Sequence, residues 1–396
     1  MTGNARTGPG APSALRAANH ALVLRALQQT GETTQAALAQ DTGLSAATVS
    51  NIVGELRTAG DVAVRKGVRG GKRVNFVSVQ RVEGIVVCVC LLWSEVTRSG
   101  TLTAVAASAY ENGPGIIRRI SEDVVNGQSL ATQCIVLVKR LVGEIGNPRL
   151  RGIVLGVPGR VDEHQERSLV SWVIEMGTPS APDLKKALGA PALLENMVNL
   201  AALAELRMGV AEGLRHVVYM DASSTIGGAL VTDGRVYRGA YGTAGRIGHI
   251  SIDPAGTLCT CGNRGCLVTV AGEAALLRLV QGYQEADSPR NLTEIVTRAL
   301  AGDPMSTRAV REAGRVMGDV ATDIATLLGP QMIILGGTLT GAGPIFLDAF
   351  VAVFDDRLPS HKQRGGPTAV ALARFPADGP LLGGLALARD HTAIRS

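Results

Sequence analysis

An α/β body of two lobes, preceded by a small basic winged helix-turn-helix, is the fold class the sequence predicts. Three observations carry it. Apolar, strand-like runs alternate with helical patterns from about residue 82 onward. At 396 residues the chain exceeds what a single hydrophobic core usually holds. The first 80 residues carry nine Lys or Arg against four acids (Glu32, Asp41, Glu55, Asp61), an excess of five that equals the net charge of the whole chain. A basic module on a neutral body points to a polyanionic partner for the module alone.

Residues 1–17 are polar, lack the apolar core of a signal peptide and are expected to form a disordered tail. With no apolar run of about 18 residues anywhere in the chain, a soluble, cytoplasmic protein with no membrane partner is expected. In "HALVLRALQQTG", Leu22, Val23, Leu24 and Leu27 have the spacing of an amphipathic helix stopped near Gly31. "TTQAALAQDTGLSAATVSNIVGELRTAGDV" predicts two helices and a tight turn. Thr34 caps the first, Gly43 breaks it, Ser45 caps the second, and Val49, Ile52, Val53 and Leu56 share one face.

The second helix then offers Ser45, Ala46, Ala47, Thr48, Ser50 and Asn51, small or hydrogen-bonding side chains suited to base edges and phosphates. "VAVRKGVRGGKRVNFVSV" alternates as a hairpin around Gly67, Gly70 and Gly71. Its tip carries Arg65, Lys66, Arg69, Lys72 and Arg73. Residues 18–80 thus read as a winged helix-turn-helix, with Arg69, Lys72 and Arg73 on phosphate or in a minor groove. The competing reading, a helical interaction domain with a merely solvated hairpin, leaves the localised charge unexplained.

In the body, "GIVVCVCLLW", "RGIVLGVPG", "HVVYMDAS", "IGGALVTDGRVYRG", "QMIILGG" and "TAVALARF" predict strands. "SLATQCIVLVKRLVGEI", "MVNLAALAELRMG", "GEAALLRLVQGYQEA", "LTEIVTRALAG", "AVREAGRVMGDVATDIATLLG" and "PIFLDAFVAVFDDRL" predict helices. The expected first lobe covers about 81–190 plus a C-terminal helix at about 378–392; the second covers about 191–377.

"GHISIDPAGTLCTCGNRGC" brings His249, Cys259, Cys261 and Cys266 together with nine, one and four intervening residues. Three thiolates and an imidazole form a closed tetrahedral set, the signature of structural Zn²⁺ with no position left for an activated water. Reduced thiols in a plain loop would explain neither the histidine nor the turn glycines Gly262 and Gly265. Cys88 and Cys90 lie on one face of an apolar strand and Cys134 in an apolar helix, so all three read as buried small hydrophobes.

"GVPGRVD" (156–162), "ENMVNLAALAE" (195–205), "DGRVYRGAYGTAGRIGH" (233–249), the cysteine segment and "ILGGTLTGAGP" (334–344) together resemble the ROK family. That family unites sugar kinases and transcriptional repressors on a two-lobed, actin-like (ribonuclease-H-like) ATPase fold. The resemblance covers everything after the tail, because the family's regulators carry such a winged head. It implies a DNA-binding transcriptional regulator, a repressor, acting as a homodimer or homotetramer on a double-stranded operator.

The same resemblance argues against the family's chemistry. Where its kinases place a general-base Asp after Glu-Asn, this chain has Met197, which accepts no proton. Arg246 and Val268 stand at two sugar-contacting Glu positions, and the two phosphate loops, at "CVCLLWSEV" and "SSTIGG", lack the expected glycines. No catalytic residue is therefore assigned, and the alternative, an ATP-dependent sugar kinase with a fused DNA-binding head, loses its base. Asn196 and His249 match sugar contacts of the family. Arg246 either meets an anionic effector, such as a phosphorylated sugar or sugar acid, or pairs with a local acid or solvent. The effector expected at Asn196, Arg246 and His249 is a sugar or sugar derivative.

Overall fold

The computed structural model describes residues 19–20, 22–24, 26–27, 30–59, 62–79, 84–94, 96–109, 115–280, 288–358 and 368–395. The expected tail, 1–17, lies outside the described residues.

The head begins with helix α1, whose described residues run from 19 to 30. Val23, Leu24 and Leu27 are buried, while Leu22 turns to solvent, so the apolar face is narrower than its sequence spacing suggests. Gly31, at φ 73°, closes α1 by donating to the Leu27 carbonyl. β1 (Thr33–Thr34) leads into α2 (Gln35–Thr42), with the Thr34 hydroxyl accepting from the Ala37 N–H and left-handed Gly43 ending the helix. α3 (Ala46–Ala59) follows, its Val49, Ile52, Val53 and Leu56 packed on Val23, Leu27 and Leu38. β2 (Val62–Arg69) and β3 (Lys72–Val79) form the expected hairpin, and β1 adds to β3, giving a three-stranded sheet in the order β1-β3-β2.

The body holds two five-stranded sheets built to one plan. The first comprises β4 (Ile85–Ser94), β5 (Ser99–Ser108), β6 (Ile116–Asp123), β7 (Leu150–Val157) and β8 (Ala192–Asn196), in the order β6-β5-β4-β7-β8. The second comprises β9 (Val217–Ala222), β10 (Ile226–Thr232), β11 (Arg235–Tyr237), β12 (Met332–Gly336) and β13 (Ala369–Leu372), in the order β11-β10-β9-β12-β13. In each, three strands meander antiparallel and the next two add in parallel.

β5, β6 and β8 went unread in the sequence. β5 is rich in Ala, Thr and Ser, β6 is charged along its exposed face, and β8 is only five residues long. Because β8 belongs to the first sheet, the lobe boundary expected near 190 falls inside that lobe and needs correction. The strand is recruited by parallel pairing to β7, a tertiary event.

α4 (Leu130–Glu144) and α6 (Ala181–Leu188) cover one face of the first sheet, with the short α5 (Ser171–Glu175) between them in sequence. α8 (Val268–Ala271), α9 (Glu273–Val280), α10 (Leu292–Leu300), α11 (Pro304–Leu328) and α12 (Pro344–Arg357) cover one face of the second. Residues 281–286 of the helix expected after Gly272 lie outside the described residues. No described helix is long and apolar enough to cross a membrane.

Between the sheets run α7 (Met197–Met208) and α13 (Gly379–Arg395), the latter matching the C-terminal helix the sequence suggested. α7 serves both cores. Leu200 joins Leu381, Leu385 and Ala388 of α13 against Val86, Cys88, Cys90 and Val154 of the first sheet. Ala201 and Ala202 pack on Val217, Tyr219 and Ile334 of the second. Cys88 and Cys90 are therefore buried on one strand face, as their alternation requires, and burial holds the Cys88 thiol far above its usual range. Cys134 is likewise buried, its thiol pushed up to about 12.

The α7–α13 approach depends on glycine. A Cβ on Gly383 would lie 1.7 Å from the Leu200 carbonyl oxygen, and one on Gly384 would lie 2.1 Å from Cys88 Sγ. Gly383→Ala is expected to destabilise the body by about 3 kcal/mol, because a backbone atom cannot rotate away. A denaturant midpoint equal to that of the unaltered chain would show that the helices do not cross this closely.

Candidate nucleic-acid interface, metal centre and cleft

The face of α3 opposite its buried stripe is exposed at Ala46, Ala47, Ser50 and Asn51. Ser45 accepts from the Thr48 N–H (3.1 Å) and hydrogen-bonds the Thr48 hydroxyl (2.8 Å), so these two side chains are engaged in the cap. Ala46, Ala47, Ser50 and Asn51 keep their side chains exposed.

Beyond α3 the wing projects. Arg73 is exposed and faces Val68 across the hairpin, and Lys66 faces Asn75 two pairs nearer the core. The backbones of Arg69 and Lys72 pair next to the Gly70-Gly71 turn; their side chains lie outside the described residues. Arg65, grouped with the tip by its sequence position, is held back instead. It pairs with Glu32 at 2.7 Å and stacks 4.8 Å over the Phe76 ring, which lowers the Glu32 carboxyl's pKa and leaves this arginine to the head's own packing.

In the cysteine segment, isolated antiparallel bridges pair Ser251 with Cys266 and Leu258 with Arg264, folding residues 249–267 back on themselves. Gly265 makes this possible, because at φ 57° any Cβ would stand 1.7 Å from the Asp253 carbonyl oxygen. The fold-back brings the ligand atoms of His249, Cys259, Cys261 and Cys266 within 4.8 Å of one another, a group that could hold a metal ion. His249 Nδ1 is 3.6 Å from Cys259 Sγ, and Cys261 Sγ is 3.6 Å from Cys266 Sγ. Ligands on a tetrahedral ion with 2.0–2.3 Å bonds stand about 3.5–3.8 Å apart, so the residues fit the group.

The electrostatics agree in part. Burial, then the nearby Arg246, lowers the His249 pKa and keeps the imidazole neutral, the form that binds metal. The Asn263 backbone N–H lowers the Cys261 thiol. Burial and the neighbouring thiols push Cys266 up to about 12, a cost that a divalent cation's own charge would reverse.

The junction between β8 and α7 is dominated by Glu195, only 2% exposed. Its carboxylate accepts from Arg238 Nε and Nη2 (2.7 and 2.6 Å), Gln165 Nε2 (2.9 Å), the Asn196 N–H (2.8 Å) and Asn199 Nδ2 (2.9 Å). Sequence reasoning placed Glu195 in a motif but missed its partners. The available signal was a lone acid closing the apolar strand "ALLEN", which must be paired once buried. Asn196 Oδ1 accepts from the Val198 and Asn199 N–H groups while its Nδ2 donates to the Gly159 carbonyl at 2.6 Å. Both ends of that amide serve the backbone, which fixes the side chain at the position where the sequence leads one to expect an effector contact.

Met197 packs toward Gly156, and Val268 opens α8 within the second lobe's core packing. Arg246 is exposed at the start of a 3₁₀ turn, Ile247–His249, and no carboxylate among the described residues pairs with it. At the first hairpin tip, Ser94 donates to Glu273 and Trp93 lies 5.7 Å from Trp172. At the second, Ser223 accepts from the Thr338 N–H, and burial lifts the Asp221 carboxyl to about 6. Both tips thus present side chains where a phosphate cradle presents glycine backbone.

The ROK family model matches residues 127–391, and a winged helix-turn-helix DNA-binding model matches residues 18–60. The chain is 26% identical over 362 residues to the xylose repressor of Caldicellulosiruptor bescii, covering 87% of this chain and 88% of that protein. It is 30% identical over 241 residues to the glucokinase of Halalkalibacterium halodurans, covering 56% of this chain and 72% of that one. Its fold is similar to that of a ROK family transcriptional regulator homologous to E. coli Mlc, with a TM-score of 0.78, 22% identity, and 96% and 97% of the two chains covered.

Cys259→Ser is expected to strip most bound metal from the purified chain, as read by inductively coupled plasma mass spectrometry. Metal content equal to that of the unaltered protein would remove Cys259 from the ligand set.

Proposed function

The chain belongs to the ROK family, and from that premise we propose that it is a DNA-binding transcriptional repressor whose body senses a small molecule without transforming it. The observation that carries this reading is the continuity of the match. The similarity to the Caldicellulosiruptor repressor covers 87% of the chain and so runs through both head and body, whereas that to the Halalkalibacterium glucokinase covers 56%. Residues 18–80 are the reader and 81–396 the sensor body.

Ala46, Ala47, Ser50 and Asn51 face the major groove, Ser45 and Thr48 rigidify the helix start, and Arg69, Lys72 and Arg73 of the wing meet phosphates or the minor groove. Acting on DNA, the protein works in the cytoplasm and at the nucleoid. A homodimer or homotetramer would present two readers to a palindromic operator, their separation set by the bodies.

His249, Cys259, Cys261 and Cys266 hold a structural Zn²⁺. The closed donor set supports this, and when bound the ion supplies a rigid clip and no reaction step. The chain's own residues do the rest: the fold-back carries His249 and Arg246 on one short turn, where a sugar or sugar-derived effector would meet them. A guanidinium that no described carboxylate pairs with there favours an anionic form of that effector. Binding would bias how the lobes close and thereby the spacing of the readers.

The protein is not an enzyme. A sugar kinase needs a base where Met197 stands and glycine cradles where Ser94 and Ser223 stand. No sugar in a panel is expected to raise ADP release above the sugar-free rate in a coupled assay, and a sugar-dependent rate would restore the kinase reading. Arg73→Ala is expected to weaken binding several-fold on operator and unrelated duplex alike, and to lower the slope of log affinity against log salt by about 1. An unchanged slope, measured by fluorescence anisotropy, would take Arg73 off the phosphates.

A further inference from the structure

Gly54 lies in the interior of α3, ninth of its fourteen residues. Glycine there weakens a helix relative to alanine, because it loses more backbone entropy on ordering. In α11 and α13 the interior glycines have a visible cause. On α11, a Cβ on Gly314 or Gly318 would stand 2.5 or 2.4 Å from the carbonyl oxygens of Phe346 or Phe350, and Gly383 has its contact with Leu200. Gly54 has no such cause. A Cβ there meets no described atom within 4 Å, and its φ is not among the positive values that require glycine.

The position also falls at the middle of the outward face. Val49, Ile52, Val53 and Leu56 are buried; at 100° per residue, Ala47, Ser50, Asn51, Gly54 and Thr58 cluster opposite them. Ser50, Asn51, Gly54, Glu55 and Thr58 line an open concavity, with Glu55 tied back to His20 of α1 at 2.7 Å. Apart from Glu55, the side chains that line it are small or medium. From Ala47 to Gly54 the helix advances about 10 Å, and with a diameter of about 10–12 Å an α-helix fits a major groove about 12 Å wide.

We infer that Gly54 is a specificity-determining position of the DNA reader: α3 lies along the floor of the major groove beyond its first two turns, and the missing side chain at 54 lets a base edge reach the helix backbone. This rests on the operator-reading proposal above. The cost to the helix is then explained by a partner outside the molecule, since no neighbour among the described residues needs the space.

The test uses the full chain. Duplexes enriched by the unaltered protein from a random-sequence library serve as the specific probe, and an unrelated duplex of equal length as the other. Gly54→Ala is expected to bind the enriched duplex about tenfold more weakly and the unrelated duplex almost unchanged. In the same protein the α3 amides should exchange with solvent about fivefold more slowly, because alanine is the better helix former.

Undiminished affinity for the enriched duplex would overturn the inference. So would a loss accompanied by faster amide exchange, which would trace the effect to a damaged helix. Equal losses on both duplexes would place the methyl group against the phosphodiester wall and overturn the groove-floor placement. If the unaltered chain enriched no sequence, the operator-reading proposal itself would fall, a result distinct from any failure of Gly54→Ala.

Discussion

The buried carboxylate of Glu195 is the constraint on which the arrangement of the body turns. Five donor groups from four residues converge on it: Arg238 from the second lobe, Gln165 from the loop after β7, and Asn196 and Asn199 from the start of α7. An acid at 2% exposure is tolerable only when so surrounded, and losing Arg238, the charged partner among them, would leave the carboxylate without a counter-charge. The same junction caps α7 through Asn196, and α7 carries both cores, so the strand end, the helix start and the lobe-to-lobe contact are set together. Gly242 tightens the arrangement, because a Cβ there would stand 1.8 Å from the Val161 carbonyl oxygen of the facing loop.

That geometry suits a sensor better than a catalyst. Asn196 is committed to backbone groups, Met197 is packed inward, and the hairpin tips are occupied by Ser94 with Glu273 and by Ser223 with Thr338. What stays open is the turn bearing Arg246 and His249, steadied by the fold-back of the cysteine segment. A ligand bound there would touch the part of the second lobe joined through Arg238 to Glu195. A change of charge or contact at the turn therefore has a short physical route to the lobe interface.

The head was largely legible in the sequence because its signals are local. The Thr34 and Ser45 caps, the Gly43 break and the apolar stripe of α3 act within a few residues, and each is where the pattern put it. Arg65 was not legible as a packing residue, because its partners Glu32 and Phe76 lie 33 and 11 positions away and meet it only once β1 and β2 flank β3. In the body the Val- and Ile-rich strands were readable, while β5, β6 and β8 are strands chiefly because neighbours pair with them.

By itself the sequence determined the elements whose cause is short-range: the helix-turn-helix, the wing, the strongly apolar strands and the cysteine–histidine spacing. Each depends on propensity, capping or periodicity within one stretch of chain. Only the tertiary structure decided that Glu195 meets Arg238, that Asn196 spends its amide on a helix cap and that α7 is shared by two sheets. It also showed that Gly54, unlike Gly383, has no described neighbour demanding a glycine. These outcomes depend on which distant groups compete for the same donors and the same space, a competition settled only when the chain has folded.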